Sequence, residues 1–261
     1  MADSVISRPG ADLAYHIDGD GPLVGYSHGL FFSRAAEDAI DLVDLRPLLA
    51  EHRLLRYDAR GHGRSGGGPD PAQYTWDALA DDLIAVADQA RAGEPVDWVG
   101  QSMGTGTLLH AAVRSPERFR RLVLEIPPTT GETREMARDM YRQSADFVET
   151  QGKDAWVRGM QQFGVPEIFA DLPSYRYDAD VRGEMLPWVL RGAARTDLPP
   201  TEALGTLTHP TLILAWESDP VHPVSTAEYL VKTLPNAQLH VSSTLADVRT
   251  WPARVATFLR S

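Results

Sequence analysis

The segment Gly100-Gln-Ser102-Met-Gly104 places a serine in a G-x-S-x-G pattern near the middle of the chain. An apolar run that predicts a strand precedes it, and small and apolar residues that predict a helix follow it. Small residues beside the serine allow a sharp turn, which presents the hydroxyl at the carboxyl edge of a sheet. The pattern and its context predict that Ser102 is a nucleophile; a serine in a plain tight turn is the structural alternative.

A nucleophilic serine needs a base that accepts its proton, and His222 is a candidate for this role. It lies three residues beyond Asp219 in a segment that follows a predicted strand, so both residues start from the same sheet edge as Ser102. His222 is the nearest base by topology. Its structural alternative is a loop histidine that lines a pocket or caps the following helix.

Asp247 lies in another segment of this kind, SSTLADVRTWP, which follows the last predicted strand. The segment carries no histidine, and no histidine lies beyond His240. An unperturbed aspartate has a pKa of about 3.9 and is a poor base for a hydroxyl. A nearby carboxylate and apolar surroundings raise such a pKa, so Asp247 is a candidate acid or base. Its structural alternative is a loop aspartate favoured by the dipole of the next helix.

Alternating strand and helix patterns predict the elements that position these residues. Two short β-like runs come first, around residues 5–6 and 13–17. Strands are predicted at 22–27, 53–57, 95–99, 121–125, 210–215 and 238–242, and helices at 37–51, 76–91, 104–114, 224–234 and 251–260. Such alternation predicts an α/β fold whose central sheet is mostly parallel and covered by helices on both faces.

The alternation lapses between residues 127 and 201, where helical patterns are broken by Gly and Pro. We therefore expect a core formed by residues 1–126 and 202–261, with a helical cap, or lid, inserted at 127–201. Apolar side chains of the cap are expected to floor a pocket, while others pack on the core. The cap residues predicted to contact substrate are Met140, Trp156, Met160 and Trp188.

With these motifs the chain resembles the α/β-hydrolase family over nearly its whole length. The pair His28-Gly29 follows the third strand, as does the HG-x loop of that family. The run YDARGHGRS at 57–65 is similar to the family's turn after its fourth strand, and its residues Asp58, Arg60 and His62 are expected to brace loops. The resemblance implies the α/β-hydrolase fold.

The resemblance also implies roles for individual residues. The backbone N–H groups of Leu30 and Met103 would form an oxyanion hole, which stabilises the negative charge that develops on a substrate oxygen. Asp219 would be the acid of a catalytic triad. The residues of the HG-x loop expected to contact substrate are His28, Gly29 and Phe31.

The histidine of the family belongs in the loop after the last strand, and the position that matches it is Asp247, within one or two residues. The resemblance therefore implies an atypical triad. A base relocated to His222, a different reaction and a lost activity all remain open. A serine at the turn argues against epoxide hydrolases and haloalkane dehalogenases, which resemble this chain but have a carboxylate nucleophile there.

Three functional hypotheses follow. The first is a serine hydrolase, similar to esterases and lactonases, that cleaves an ester or lactone of a small, largely apolar molecule. The second is a cyclase, lyase or isomerase in which Asp247 or Asp219 moves a proton. The third is a non-catalytic protein that binds a small ligand on the same scaffold. No ligand spacing typical of a metal site occurs, and no cofactor is expected.

Composition limits the partners and the location of the protein. A formal net charge of -11 and a pI of about 5.1 argue against nucleic-acid and anionic-membrane partners, because both need clustered Lys and Arg. Cysteine is absent, which excludes disulfides and thiolate metal sites. Because no secretion signal and no long apolar stretch is recognised, we expect a cytoplasmic protein.

Overall fold

The computed structural model describes residues 3–91, 93–162, 165–172, 175, 178–219 and 221–261. Within these residues a central eight-stranded sheet has the order β1-β2-β4-β3-β5-β6-β7-β8. The strands are β1 (Ser4–Arg8), β2 (Ala11–Asp18), β3 (Leu23–Ser27), β4 (Arg53–Tyr57), β5 (Val96–Gln101), β6 (Phe119–Glu125), β7 (Thr211–Trp216) and β8 (Ala237–Ser242). β2 pairs antiparallel with β1 and β4, and all other pairs are parallel. The predicted α/β-hydrolase fold is confirmed.

Helices cover both faces of the sheet. They are α1 (Arg34–Ile40), α2 (Trp76–Ala90), α3 (Met103–Arg114), α4 (Glu132–Gln151), α5 (Lys153–Gln162), α6 (Leu186–Ala193), α7 (Thr201–Leu204), α8 (Val224–Thr233), α9 (Leu245–Val248) and α10 (Trp251–Arg260). Alternate strand residues point to opposite faces, so the sheet contributes to two separate cores. One core includes Trp98 and Leu108, and the other includes Val99 and Val255.

The predicted helix at 37–51 is wrong, because two shorter elements replace it. Helix α1 ends at Ile40, and the next residue, Asp41, takes the left-handed conformation with φ 54°. A 3-10 helix, Arg46–Ala50, follows with a proline in its first turn. The left-handed residue reverses the chain direction and prevents continuation of α1. The short helix α9 is also absent from the sequence prediction.

Among the described residues, four helices and a 3-10 helix, Glu167–Phe169, lie between β6 and β7. Gly131 and Gly152 have positive φ angles at the two ends of α4, which limits that helix. The guanidinium of Arg134 is fully buried 4.3 Å from the centre of the Trp76 ring and donates hydrogen bonds to the carbonyls of Ala193 and Thr196. It ties α4 to α2. No helix in the described ranges combines the length and apolarity needed to cross a bilayer.

Two buried histidines link the loop after β3 to the turn after β4. The Ala59 amide donates to His28 Nε2 at 2.9 Å, so the proton of the neutral ring is on Nδ1, which donates to the Gly29 carbonyl at 2.8 Å. His62 Nε2 lies 2.6 Å from the Leu30 carbonyl oxygen. Asp58 accepts hydrogen bonds from the side chain and amide of Arg34. These contacts hold the backbone of residues 28–30.

We predict that Gly25→Ala destabilises the protein by about 1–3 kcal/mol or more, because overpacking strains a filled core. Gly25 lies opposite Trp98 in the β3–β5 pair, and a Cβ at this position would be 2.3 Å from the indole ring. Urea unfolding of both proteins measures the change. Gly159→Ala in α5 is the matched control: its Cβ meets no atom within 4 Å, so a gain of up to about 1 kcal/mol is expected. Equal effects of the two changes would contradict the packing argument.

Candidate active site

The turn between β5 and α3 holds Ser102 in a strained conformation. Its φ of 50° and ψ of -109° lie in a region that costs about 1–3 kcal/mol for a residue with a side chain. A Cβ on Gly100 would be 2.5 Å from the Gly104 carbonyl, and a Cβ on Gly104 would be 2.1 Å from the Ser27 carbonyl. The Ser102 amide donates to the Glu125 carbonyl at 3.0 Å. The two glycines thus allow a turn that exposes the serine side chain.

Ser102 and His222 lie within hydrogen-bond distance. Ser102 Oγ is 2.8 Å from His222 Nε2, and His222 Nδ1 is 2.8 Å from Asp219 Oδ2. A carboxylate accepts only, so the imidazole proton belongs on Nδ1 and leaves Nε2 to accept from the serine hydroxyl. The arrangement has the geometry of a serine nucleophile, a base and an orienting acid.

The loop after β7 brings the acid and the histidine together through local contacts. Asp219 Oδ1 accepts from the amides of Val221 and His222 at 2.9 and 3.1 Å, which is the pattern of an Asx turn. Ser218 has a positive φ of 64° just before it. The indole of Trp216 donates to Asp219 Oδ2 at 2.9 Å. The turn folds the chain back, so that the His222 ring reaches the carboxylate three residues earlier.

These contacts also set the charge of the acid. Burial by itself raises the pKa of Asp219, but the neighbouring His222 and the hydrogen bonds from His222, Val221 and Trp216 outweigh it and lower the pKa to about 2. The carboxylate is therefore ionised at neutral pH.

The amides of Leu30 and Met103 belong to loops at the same sheet edge. Met103 is the first residue of α3, where an N–H group has no acceptor within the helix. Leu30 lies inside a turn closed by a 3.1 Å hydrogen bond from the Phe32 amide to the Gly29 carbonyl. The Leu30 amide does not take part in that bond, and its own carbonyl faces His62.

Ser102, Asp219 and His222 line one cavity of about 210 Å³. Most of its wall is apolar, and its lining includes Gly29, Leu30, Phe31, Phe32, Ile40, Leu42, Val43, Ile126, Met140, Tyr141, Met160, Pro166, Tyr175, Trp216 and Val221. Four residues predicted to contact substrate, Gly29, Phe31, Met140 and Met160, are among them. A mainly apolar cavity with a few polar groups is typical of a small-molecule site.

Three other residues predicted to contact substrate do not line this cavity, and for these the prediction is corrected. His28 is 1% exposed, and both of its ring nitrogens are held by backbone groups. Trp156 is buried behind Phe31, with ring centres 5.3 Å apart. Trp188 is half-buried against the core and lies beside the Arg191 guanidinium. None of these three side chains is part of the cavity lining.

Asp247 lies apart from this group. It belongs to α9, and its carboxylate accepts from His240 Nε2 at 2.9 Å and from Arg254 Nη2 at 3.0 Å. It does not line the cavity that contains Ser102. The expected proximity of Asp247 to Asp219 under the cap is thus not found. Across the described ranges, no group of three or more His, Asp or Glu side chains is arranged to hold a metal ion.

Several polar residues of the cavity and its surroundings were not predicted from the sequence. Tyr26, Glu37 and Gln101 line the cavity, and Glu125 is fully buried behind Gln101, its partner in the β5–β6 pair. Neither Glu125 carboxyl oxygen has a hydrogen-bond partner among the described residues. Burial raises its pKa to about 8; the nearby Gln101 amide opposes the shift but forms no hydrogen bond of normal geometry. For Gln101 and Glu125 the available signal was a polar residue at the end of an apolar strand.

Comparison with known proteins gives the context of this site. The protein-family model described as serine aminopeptidase, S33, matches residues 48–245, which is most of the chain. A 2-hydroxymuconate semialdehyde hydrolase from Pseudomonas sp. strain CF600 is 31% identical over 218 residues, covering 74% of this chain and 69% of that protein. A 3-oxoadipate enol-lactonase from Acinetobacter baylyi is 24% identical over 250 residues, covering 91% and 87%.

Solved structures agree on the fold. A thermophilic esterase from Thermogutta terrifontis superposes with a TM-score of 0.77 at 24% identity, covering 100% of this chain and 97% of that one. At this level of identity the likeness concerns the fold alone. The geometry of Ser102, His222 and Asp219 therefore has to be judged on the contacts of this chain.

We predict that Glu125→Gln changes how stability depends on pH. The pKa of this carboxyl rises on folding from 4.5 to about 8, so between these values the folded protein holds a proton that the unfolded chain releases. Its contribution to the free energy of unfolding falls by up to about 1.4 kcal/mol per pH unit as the pH rises through this window. Glutamine does not ionise, so the variant should lose less stability than the wild type.

Urea unfolding at two pH values inside this window measures the difference. Glu228→Gln, which removes an exposed carboxyl from α8, is the control and should keep the wild-type slope. The same slope in the wild type and Glu125→Gln would show that this carboxyl is not held neutral in the folded protein.

Proposed function

The chain belongs to the α/β-hydrolase family through its match to the serine aminopeptidase S33 group, and we propose that it hydrolyses an ester or lactone of a small, largely apolar molecule. Ser102 is the nucleophile, His222 the base and Asp219 the acid that orients it. One observation carries the proposal: Ser102 Oγ, the His222 ring and the Asp219 carboxylate are joined by two contacts of 2.8 Å.

The reaction follows from these positions. As Ser102 Oγ attacks the carbonyl carbon, its proton passes to His222 Nε2, and the Asp219 carboxylate stabilises the resulting imidazolium. The amides of Leu30 and Met103 donate to the carbonyl oxygen as it becomes negative. His222 then protonates the leaving alkoxide, which departs and leaves an acyl-serine. A water, deprotonated by the same imidazole, releases the acid and restores the serine.

The size and character of the cavity support a small substrate. A volume of about 210 Å³ with mostly apolar walls suits a small molecule better than a polypeptide. The names of two relatives agree with this, since one is a semialdehyde hydrolase and the other an enol-lactonase. No lysine or arginine among the described residues lines the cavity.

We also propose that residues 127–201 act as a cap over the site. Met140 of α4 and Met160 of α5 line the cavity together with residues of the core. Met140 lines the cavity and is also 40% exposed, so this part of α4 lies at the boundary between the cavity and solvent. A cap in this position would exclude water from the reacting groups.

A non-hydrolytic reaction with Asp247 as the acid or base has less support. The carboxylate is already engaged by His240 and Arg254, and it does not line the cavity. Asp219 is in turn engaged by His222 and Trp216. Neither carboxylate is free to move a proton to a substrate carbon.

We predict that His222→Ala lowers kcat for a short-chain p-nitrophenyl ester by at least about 10³-fold, because Ser102 loses its base. Asp247→Asn, which alters the position where the family keeps its histidine, should change kcat by no more than about threefold. Initial-rate kinetics measure both, and melting temperatures check that both variants are folded. A large loss in Asp247→Asn together with normal turnover by His222→Ala would reverse the assignment.

A further inference from the structure

One end of the cavity carries polar groups that the proposed hydrolysis does not use. Tyr26 and Gln101 lie at or near the carboxyl ends of β3 and β5, and Glu125 ends β6. The residues two positions earlier on these strands, Val24, Val99 and Val123 respectively, all belong to the same hydrophobic core. Alternation along a strand therefore places all three on the same sheet face. Polar side chains converge there, in a face that is otherwise apolar.

A hydrogen bond closes this end of the cavity. The Tyr26 hydroxyl donates to Glu37 Oε1 of α1 at 2.7 Å. Tyr26 and Glu37 line the cavity on one side and, on the other, a small polar cleft shared with Asp38, Asp41 and Arg46. The pair is thus a wall between the cavity and the surface, and a substrate chain that fills the cavity in this direction would end against it.

Gln101 extends this polar wall toward the nucleophile, and Glu125 lies behind it. A Cβ on Gly29 would be 3.4 Å from Gln101 Oε1 and 3.7 Å from the Ser102 Cβ, so the Gln101 amide lies beside both the oxyanion loop and the serine. Behind it, the Glu125 carboxyl is 0% exposed and lacks a hydrogen-bond partner in the described chain. Burying a polar group without a partner costs about 1–3 kcal/mol. The Gln101 amide lines the cavity, so it is the group of this pair that a ligand can reach.

The charge of the wall indicates which polar group of a ligand would bind there. Burial raises the pKa of Glu37 to about 8 despite the hydrogen bond from Tyr26, and it raises the pKa of Glu125 to a similar value. Both acids are then mostly neutral at neutral pH. A protonated carboxyl offers a donor and an acceptor, as does a primary amide. These groups match a hydroxyl, and they give a carboxylate no positive charge with which to pair.

We propose that Tyr26, Glu37 and Gln101 form a specificity subsite that binds a hydroxyl group of the substrate remote from the bond that is cleaved. The preferred substrates are then hydroxylated esters or lactones rather than plain alkyl or carboxylate-bearing ones. This inference rests on the proposed function and narrows its substrate class. It requires no change in the chemistry at Ser102.

The test uses matched p-nitrophenyl esters whose straight acyl chains end in a methyl, a hydroxyl or a carboxylate group, compared over a series of lengths. At the length that reaches the wall, kcat/KM for the hydroxyl ester should exceed that for the methyl ester by about tenfold or more, since a pocket built for a hydroxyl leaves its own polar groups unpaired when the hydroxyl is missing. The carboxylate ester should be the poorest. Equal values for hydroxyl and methyl esters at every length would overturn the subsite.

Variants test which residues cause the preference for the hydroxyl ester over the methyl ester. Tyr26→Phe and Glu37→Leu should each reduce the hydroxyl-to-methyl ratio toward unity. Tyr175→Phe makes the same change as Tyr26→Phe at another tyrosine of the same cavity, and it should keep the wild-type ratio. A ratio lost equally in Tyr26→Phe and Tyr175→Phe, or kept in both Tyr26→Phe and Glu37→Leu, would contradict the assignment.

Calorimetric binding of the same esters to Ser102→Ala separates the subsite from the reaction. Tighter binding of the hydroxyl ester, with no turnover of any ester by the wild type, would support the subsite and contradict the proposed hydrolysis. Turnover of the methyl ester by the wild type, with equal binding of the hydroxyl and methyl esters to Ser102→Ala, would support the hydrolysis and contradict the subsite.

Discussion

The two hydrogen bonds that Asp219 Oδ1 accepts from the amides of Val221 and His222 determine the geometry of the site. They fold the loop after β7 so that a histidine three residues beyond the acid returns to its other oxygen. Trp216, at the end of β7, fixes that oxygen with its indole N–H. The indole stacks on Trp251, whose own N–H is held by Ser242 at 2.9 Å. The Asp219 carboxylate is thus positioned both by hydrogen bonds within its own turn and by the packing of Trp216 on Trp251 of α10.

With this arrangement the loop after β8 does not need to provide a base for Ser102. When the acid and the proposed base share one loop, no residue near position 247 has to reach Ser102. Asp247 instead accepts from His240 and Arg254, which connects β8, α9 and α10. The cavity in turn depends on the loop at 28–30, which His28 and His62 hold from behind.

Periodic patterns predicted the sheet, most helices and the turn at Ser102, because these depend on short-range alternation and on the small residues Gly100 and Gly104. Side-chain direction was less predictable. His28 turns inward because the Ala59 amide, distant in sequence, binds its ring. The spacing of Asp219 and His222 allowed a contact, but its formation depends on the positive φ of Ser218 and on the Trp216 indole. The Tyr26–Glu37 pair joins a strand to a helix, and no local pattern identifies it.

The proposed hydrolysis depends on the activation of Ser102 by His222. The most direct test of this activation is the rate at which a fluorophosphonate modifies Ser102 in the wild type and in His222→Ala, with the modified residue identified by mass spectrometry. If His222 activates Ser102, the wild type is modified promptly and stoichiometrically, and the rate in the variant is at least about 10³-fold lower, because the reagent reacts with an activated hydroxyl. Equal rates in the two proteins, or an unmodified Ser102 in the wild type, would contradict it.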